Sequence, residues 1–164
     1  MNRQVGIAVV VLFVACVISQ IALAQDKEKQ KKLDQVKASV QEICPVSGMK
    51  LGAHGEPFKA KIGGQVLFLC CEGCKKGKVN KKHWAKIHQN FAKAQAKCFV
   101  MDNPLPKKPK WVIVKGQLLY VCCPPCIKKI KDSPDKYLKQ LAASQSEYLK
   151  KQKTKTASKQ TPAS

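Results

Sequence analysis

The sequence predicts an α+β fold built from two small tandem cysteine-rich modules, each a knuckle-like turn, a β-hairpin and a helix. Three observations predict it. The run VLFLCCEGCKK beginning at Val66 lines up with LLYVCCPPCIKK beginning at Leu118, so that Cys70, Cys71 and Cys74 fall on Cys122, Cys123 and Cys126. Apolar residues alternate at period two on either side of a glycine turn, which is the strand pattern: Phe58, Ala60 and Ile62 before Gly63 and Gly64, then Val66, Phe68 and Cys70 after them. A lysine-rich helical stretch follows each cysteine cluster. A duplicated unit of this size is too small to close a core of its own, so the two copies are expected to pack on one another.

In chain order, the first element is a leader. Residues 1–24 combine Arg3, an apolar run from Val5 to Ile18 and a small-x-small ending at Ala22, Leu23 and Ala24, the three parts of a secretory signal peptide. The run is shorter than the roughly 20 residues needed to cross a bilayer. Cleavage after Ala24 makes the protein exported, periplasmic or extracellular; an uncleaved anchor helix, or lipidation at Cys16, are the alternatives, and both keep the chain outside the cytoplasm. Residues 25–42 follow as a charged amphipathic helix or linker, with Leu33, Val36, Val40 and Ile43 at three- and four-residue steps.

The first module is placed at residues 43–96 and the second at 97–152. Upstream of the hairpins, CPVSGMKLG from Cys44 pairs with CFVMDNPLP from Cys98 after a two-residue adjustment. The strands of the second copy, Trp111 to Val114 and Leu118 to Cys122, are more continuously apolar, as expected when both faces are covered. Helices are predicted over 81–96, 124–131 and about 134–151, with Ser133 before Pro134 as a helix start. The segment 153–164, KTKTASKQTPAS, lacks apolar groups and is expected to be a disordered lysine-rich tail.

The formal net charge is +21, and removal of the leader takes away Arg3 and no acidic residue, so the mature chain carries one unit less. Every remaining strong base is lysine. Arginine's fixed fork of donors is what sequence-specific nucleic-acid readout leans on, so the composition argues against that function and for a solvated face with nonspecific attraction to anionic surfaces. Acidic residues are few and scattered, and no serine, histidine and carboxylate set offers hydrolytic chemistry. The chain reads as a binding protein, not an enzyme.

Chemistry resides in the cysteines. Cys70 and Cys74 sit where a strand ends and a helix starts, and Cys44 arrives from a proline- and glycine-containing turn that looks like a zinc knuckle with Ser47 in place of its second cysteine. Three sulfurs from two separated elements make a chelate that closes the fold. Cys98, Cys122 and Cys126 repeat the set. Because neighbouring residues of a regular strand point to opposite faces, Cys71 and Cys123 are additional metal or redox thiols: they join the shell if the chain turns before them, giving four sulfurs, and stay outside it otherwise. Four sulfurs fit structural zinc; three fit Cu(I) or exchangeable zinc, so the metal is Zn2+ or Cu+.

These residues together resemble the YHS and TRASH families of small metal-binding modules, here as Cys44 then LCCEGCKK, and Cys98 then VCCPPCIKK, with SPDKYLKQL from Ser133 as the family-like ending of the second copy. The likeness covers about residues 43–142. It implies that Cys70 and Cys74 occupy ligand positions, that Cys71 falls where the family often has serine, and that the role is metal storage, delivery or resistance. Two other readings remain open on the sequence: a disulfide-stapled structural or interaction protein, and a thiol–disulfide redox protein using the CPPC of Cys123 to Cys126. His54, His83 and His88 have no counterparts in the second copy. Met49 and Met101 are expected in the core, and Trp84 and Trp111 in the core or an interface.

Overall fold

The computed structural model of this protein describes residue 25 and residues 27–158; the expected signal peptide, and residues 159–164 of the tail, lie outside the described residues. Helix α1 occupies residues 27–41. The chain divides into a unit ending at Gln35 and a second, Val36–Ser164, that holds both cysteine clusters. In the first unit the helix carries two four-residue polar pairs, Lys32 with Glu28 (2.7 Å) and Gln30 with Asp34 (3.0 Å), which favour helix in a segment rich in charge.

The second unit is α+β as expected. Strands β1 (Phe58–Ile62) and β2 (Gln65–Leu69) form one antiparallel hairpin, and β3 (Lys110–Val114) and β4 (Gln117–Val121) the other. A 3₁₀ turn, Glu72–Lys76, follows the first hairpin, and helix α2 (Lys81–Gln95) leads to the second module. Helices α3 (Pro125–Asp132) and α4 (Pro134–Ser158) follow the second hairpin. Both hairpin turns have two residues at positive φ, Gly63 (57°) with Gly64 (82°) and Lys115 (48°) with Gly116 (73°), the pairing whose twist matches that of the strands.

Burial follows the period-two pattern. Leu67 of β2, Leu118 and Tyr120 of β4, Val40 of α1, and Ile87, Phe91 and Ala94 of α2 build one core between the modules. The alternate residues of β4, Leu119 and Val121, face a second cluster with Val112, Ile130, Tyr137 and Leu141. Strand β4 is therefore covered on both faces, which is why its sequence is continuously apolar. Leu69 packs with Cys44 and Cys70 in a third, smaller cluster.

The two modules are repeats in hydrogen bonding as well as in sequence. In each, a residue with positive φ ends the preceding helix, Glu42 (66°) or Ala96 (62°). A one-bridge ladder then frames the knuckle, Ile43 with Lys50 and Lys97 with Pro104. The first Cys of each module donates its N–H across the turn, Cys44 to Met49 O (2.8 Å) and Cys98 to Asn103 O (2.9 Å). What holds this turn to the hairpin is a glutamine three residues before the cysteine. Gln41 Nε2 donates to Phe68 O (2.7 Å) while Phe68 N–H donates to Gln41 Oε1 (2.9 Å). Gln95 does the same with Tyr120, at 2.7 and 2.8 Å. Phe68 pairs with Lys59 and Tyr120 with Trp111, at positions whose main-chain groups point away from the hairpin partner, so each glutamine stands in for a missing third strand. Both glutamines are fully buried.

Two expectations are corrected. The tail does not begin at Lys153: α4 runs on to Ser158, because each residue added to a helix already nucleated at Pro134 gains one hydrogen bond, Thr154 Oγ1 donates back to Lys151 O at 3.0 Å, and Glu147 supports the preceding turn through Lys151 at 2.7 Å. Met49 and Met101 are not core residues; both are exposed, Met49 on the returning arm of its knuckle and Met101 in the turn of the other.

The clamp carries a stability prediction. Replacing Gln41 or Gln95 by alanine leaves a buried main-chain N–H and C=O unpaired, and each change should cost about 2–4 kcal/mol. Urea unfolding of the reduced protein measures it; a loss under about 0.5 kcal/mol would mean that water replaces the amide at no cost.

Candidate metal centres

Each cysteine cluster forms where the knuckle, the strand end and the following turn meet. Strand β2 ends at Leu69, so Cys70 is the first residue past it and Cys74 lies one 3₁₀ turn further on. Cys44 enters from the knuckle. Its position rests on Gly48, whose φ of 75° closes the turn through a hydrogen bond from Gly48 N to Cys44 O (2.9 Å), and against which the His83 ring is packed so closely that a Cβ would meet Nε2 at 2.5 Å. In the second module Asp102 takes this left-handed position (φ 58°) and donates to Cys98 O (2.8 Å).

The result is two groups, Cys44 with Cys70 and Cys74, and Cys98 with Cys122 and Cys126, in each of which the three sulfurs lie within 4.8 Å of one another. Cys70 Sγ is 3.6 Å from Cys74 Sγ, and Cys122 Sγ 3.9 Å from Cys126 Sγ. With metal–sulfur arms of about 2.3 Å, a tetrahedral shell has sulfur–sulfur edges of about 3.8 Å, so the thiols already stand at the spacing that a thiophilic ion requires. These two clusters can hold a metal ion. All the cysteines of the two modules are free thiols, so no disulfide staples either one.

Cys71 and Cys123 are close neighbours of these groups without belonging to them. Cys71 Sγ lies 3.9 Å from Cys70 Sγ and 3.8 Å from Cys74 Sγ, and Cys123 Sγ lies 3.7 Å from Cys122 Sγ and 3.1 Å from Cys126 Sγ. The chain turns immediately after the strand, Cys71 itself being extended (φ −159°) at the head of the 3₁₀ turn; contrary to expectation this turn brings Cys71 beside Cys70 and Cys74 without bringing it into the group with Cys44.

The electrostatics of the triads are graded. Burial pushes the Cys44 thiol up, but hydrogen bonds from Ser47, through both its hydroxyl and its amide, and from the amides of Cys70 and Val46 outweigh that and hold it at about 7. Cys98 is likewise lowered: burial opposes, and the amides of Cys122, Met101 and Val100 prevail. Cys74 goes the other way, pushed up to about 12 by burial and by its thiol neighbours Cys70, Cys71 and Cys44, and Cys126 is raised for the corresponding reasons. Each triad therefore pairs one sulfur whose thiolate form is favoured by hydrogen-bond donors, Cys44 or Cys98, with one, Cys74 or Cys126, that holds its proton more firmly than an ordinary thiol.

Ser47 has a second task, since its hydroxyl is 3.3 Å from Cys70 Sγ. The residues that sequence reasoning missed are Gln41 and Gln95, whose signal is a Gln-x-x-Cys repeated before each knuckle. None of the three histidines joins a triad. His54 is exposed on the loop before β1, His83 supports Gly48, and His88 stacks among Trp84, Trp111 and Tyr120, with ring centroids 5.1 to 6.0 Å apart, where burial lowers its pKa. Trp84 sits at the edge of the shared core, whereas Trp111 is half exposed. No family model, curated protein or solved structure matches the chain.

A pH dependence follows from the thiols. At neutral pH the free Cys74 still holds its proton and the metal-bound sulfur does not, so binding at the first site releases protons and strengthens as pH rises. Below about pH 7 the free Cys44 also takes up a proton, and the affinity should fall more steeply there. Zinc titration calorimetry in buffers of different ionisation enthalpy checks both the sign and the proton count; an affinity independent of pH between 6 and 9, roughly the span over which thiols of this kind titrate, would contradict the assignment.

Proposed function

We propose that the chain is an exported, non-enzymatic metal-binding protein that holds one soft or borderline ion, Zn2+ or Cu+, in each of two tandem modules of the YHS and TRASH kind, in metal storage, delivery or resistance. The observation that carries this reading is the convergence in both modules of three thiols from two separated elements, with main-chain N–H groups aimed at the innermost sulfur. Buried cysteines that served only as small apolar residues would not need those donors. An all-sulfur shell selects Zn2+ or Cu+ over hard cations. The leader predicted at 1–24 supports export, and the lysine-rich surface supports solubility and nonspecific attraction to anionic surfaces.

A thiol–disulfide role for the second module has one observation in its favour, the 3.1 Å between Cys123 and Cys126, with Cys123 lowered by its hydrogen bonds to Cys126. Cys122, 3.7 Å from Cys123, stands where it would intercept a mixed disulfide with any substrate.

Titration of the reduced protein should saturate near two ions, one for each triad. Cys44→Ser and Cys70→Ser should each abolish the first site, Cys98→Ser and Cys122→Ser the second, and Cys71→Ser and Cys123→Ser should weaken binding only mildly. Competition with a chromophoric chelator reads all six variants, and an insulin-reduction assay should stay at background. Stoichiometry near zero for fully reduced protein, or disulfide turnover that depends on Cys123 and Cys126, would overturn the metal reading.

A further inference from the structure

The thiols of each module are arranged in depth. Cys44 and Cys98 are fully buried, whereas Cys71 is exposed and Cys123 half-buried. Between these extremes lie the two sulfurs that both share: Cys70 and Cys74 are 3.6 Å apart, and Cys71 is 3.9 and 3.8 Å from them. The module thus carries two three-sulfur faces with a common edge, an outer one of Cys70, Cys71 and Cys74 and an inner one of Cys44, Cys70 and Cys74. Cys122, Cys123 and Cys126 form the outer face of the second module, with Cys98 behind them.

We infer that Cys71 and Cys123 are exchange ligands, through which an ion is taken from, and returned to, a soluble thiolate or chelate carrier. This rests on the metal-binding reading above and assigns it a direction, delivery in place of permanent structural occupancy. An ion held only by the inner face could be reached by a second ligand only if the module opened. An exposed thiol sharing two ligands with that face lets the ion pass one bond at a time.

In loading, the Cys71 thiol gives its proton to water and its sulfur bonds the ion while the ion still holds its carrier. Bonds to Cys70 and Cys74 form next, their protons also passing to water, and the carrier's donor atoms leave with their electron pairs. The bond to Cys44 then forms, its thiol giving up its proton, as that to Cys71 breaks and the Cys71 sulfur leaves with its electron pair and takes up a proton. The ion keeps its oxidation state throughout, so no oxidant or reductant is needed. Lysines share the elements that carry the outer thiols, Lys76 on the turn of Cys74 and Lys128 and Lys129 on the helix of Cys126, while Lys75 pairs with Glu72 at 2.8 Å, so the net charge nearby favours carriers that approach as anionic complexes. On the first module Cys74, one of the two shared sulfurs, also lines an open groove of about 520 Å³ with Phe58, Lys59, Lys61 and Lys75.

The test separates rate from equilibrium. Full-length protein loaded with Zn2+ is mixed in stopped flow with excess 4-(2-pyridylazo)resorcinol, and the same samples are titrated for affinity. In the Cys71→Ser, Cys123→Ser double variant, zinc transfer should slow by about tenfold or more, while affinity falls by no more than a few-fold, since one bond is missing from the transition state and not from the resting site. Cys71→Ser alone should slow one of two kinetic phases. Unchanged transfer rates in a variant that still binds two ions would overturn the exchange role and leave the metal-binding function standing. A collapse of affinity as large as that of Cys70→Ser would also overturn it, by making Cys71 a resting ligand. Wild-type protein that binds no zinc when reduced would instead remove the metal-binding reading itself.

Discussion

The structure depends on a side-chain amide doing the work of a β-strand. A two-stranded hairpin leaves the outer main-chain groups of β2 and β4 without partners, and Gln41 and Gln95 take both groups of Phe68 and Tyr120. The same amide nitrogen also donates forward to the carbonyl of Ile43 or Lys97, each at 2.9 Å, immediately before the first cysteine. One residue thereby fixes the hairpin, the helix end and the knuckle relative to each other. Without that joint, Cys44 would lie on a turn only loosely connected to Cys70 and Cys74, and three sulfurs would have no reason to converge.

The clamp also explains how the two modules are joined. Helix α2 follows the first cysteine cluster, yet its last residue clamps the second hairpin, as the last residue of α1 clamps the first. The natural repeat is thus a helix, a knuckle, a hairpin and a cysteine turn, and α2 is shared: it opens the second repeat and fills the core between the two. Asn90 of α2 adds a bond to Gln41 O at 3.2 Å, and Val66 N donates to Gly116 O at 2.7 Å, so the repeats are stitched by main-chain groups as well as by apolar burial. At the offset that places Cys70 on Cys122, the 3₁₀ turn falls on α3 and the start of α2 on the start of α4, and in the second copy Ile130, Tyr137 and Leu141 of these helices cover the face of β4 that would otherwise be wet.

Much of this was legible in the sequence. Period two around Gly63 and Gly64, with the continuously apolar second copy aligned on the first, located four strands to within a residue, and the repeated cysteines pointed to both clusters. The module boundary was less legible: α2 follows the first CxxxC in sequence, and only hydrogen bonding reveals that it belongs functionally with the second knuckle. The glutamines escaped because a buried polar residue on a lysine-rich helix looks like one more solvated group until its partner is seen. The methionines were misplaced because apolar character alone does not say whether a turn faces the core. Which of two adjacent cysteines joins the inner cluster depends on where the strand stops, a matter of one residue; the end of β2 at Leu69 and of β4 at Val121 puts Cys70 and Cys122 in the triads.

The central claim, that thiols alone form the shell, is tested most directly by X-ray absorption at the zinc edge of the loaded, reduced protein. Scattering from sulfur only, at about 2.3 Å, with no imidazole contribution, is the result expected from triads that no histidine joins. A shell dominated by nitrogen or oxygen at about 2.0–2.1 Å would contradict it, and would place the ion away from the two cysteine clusters.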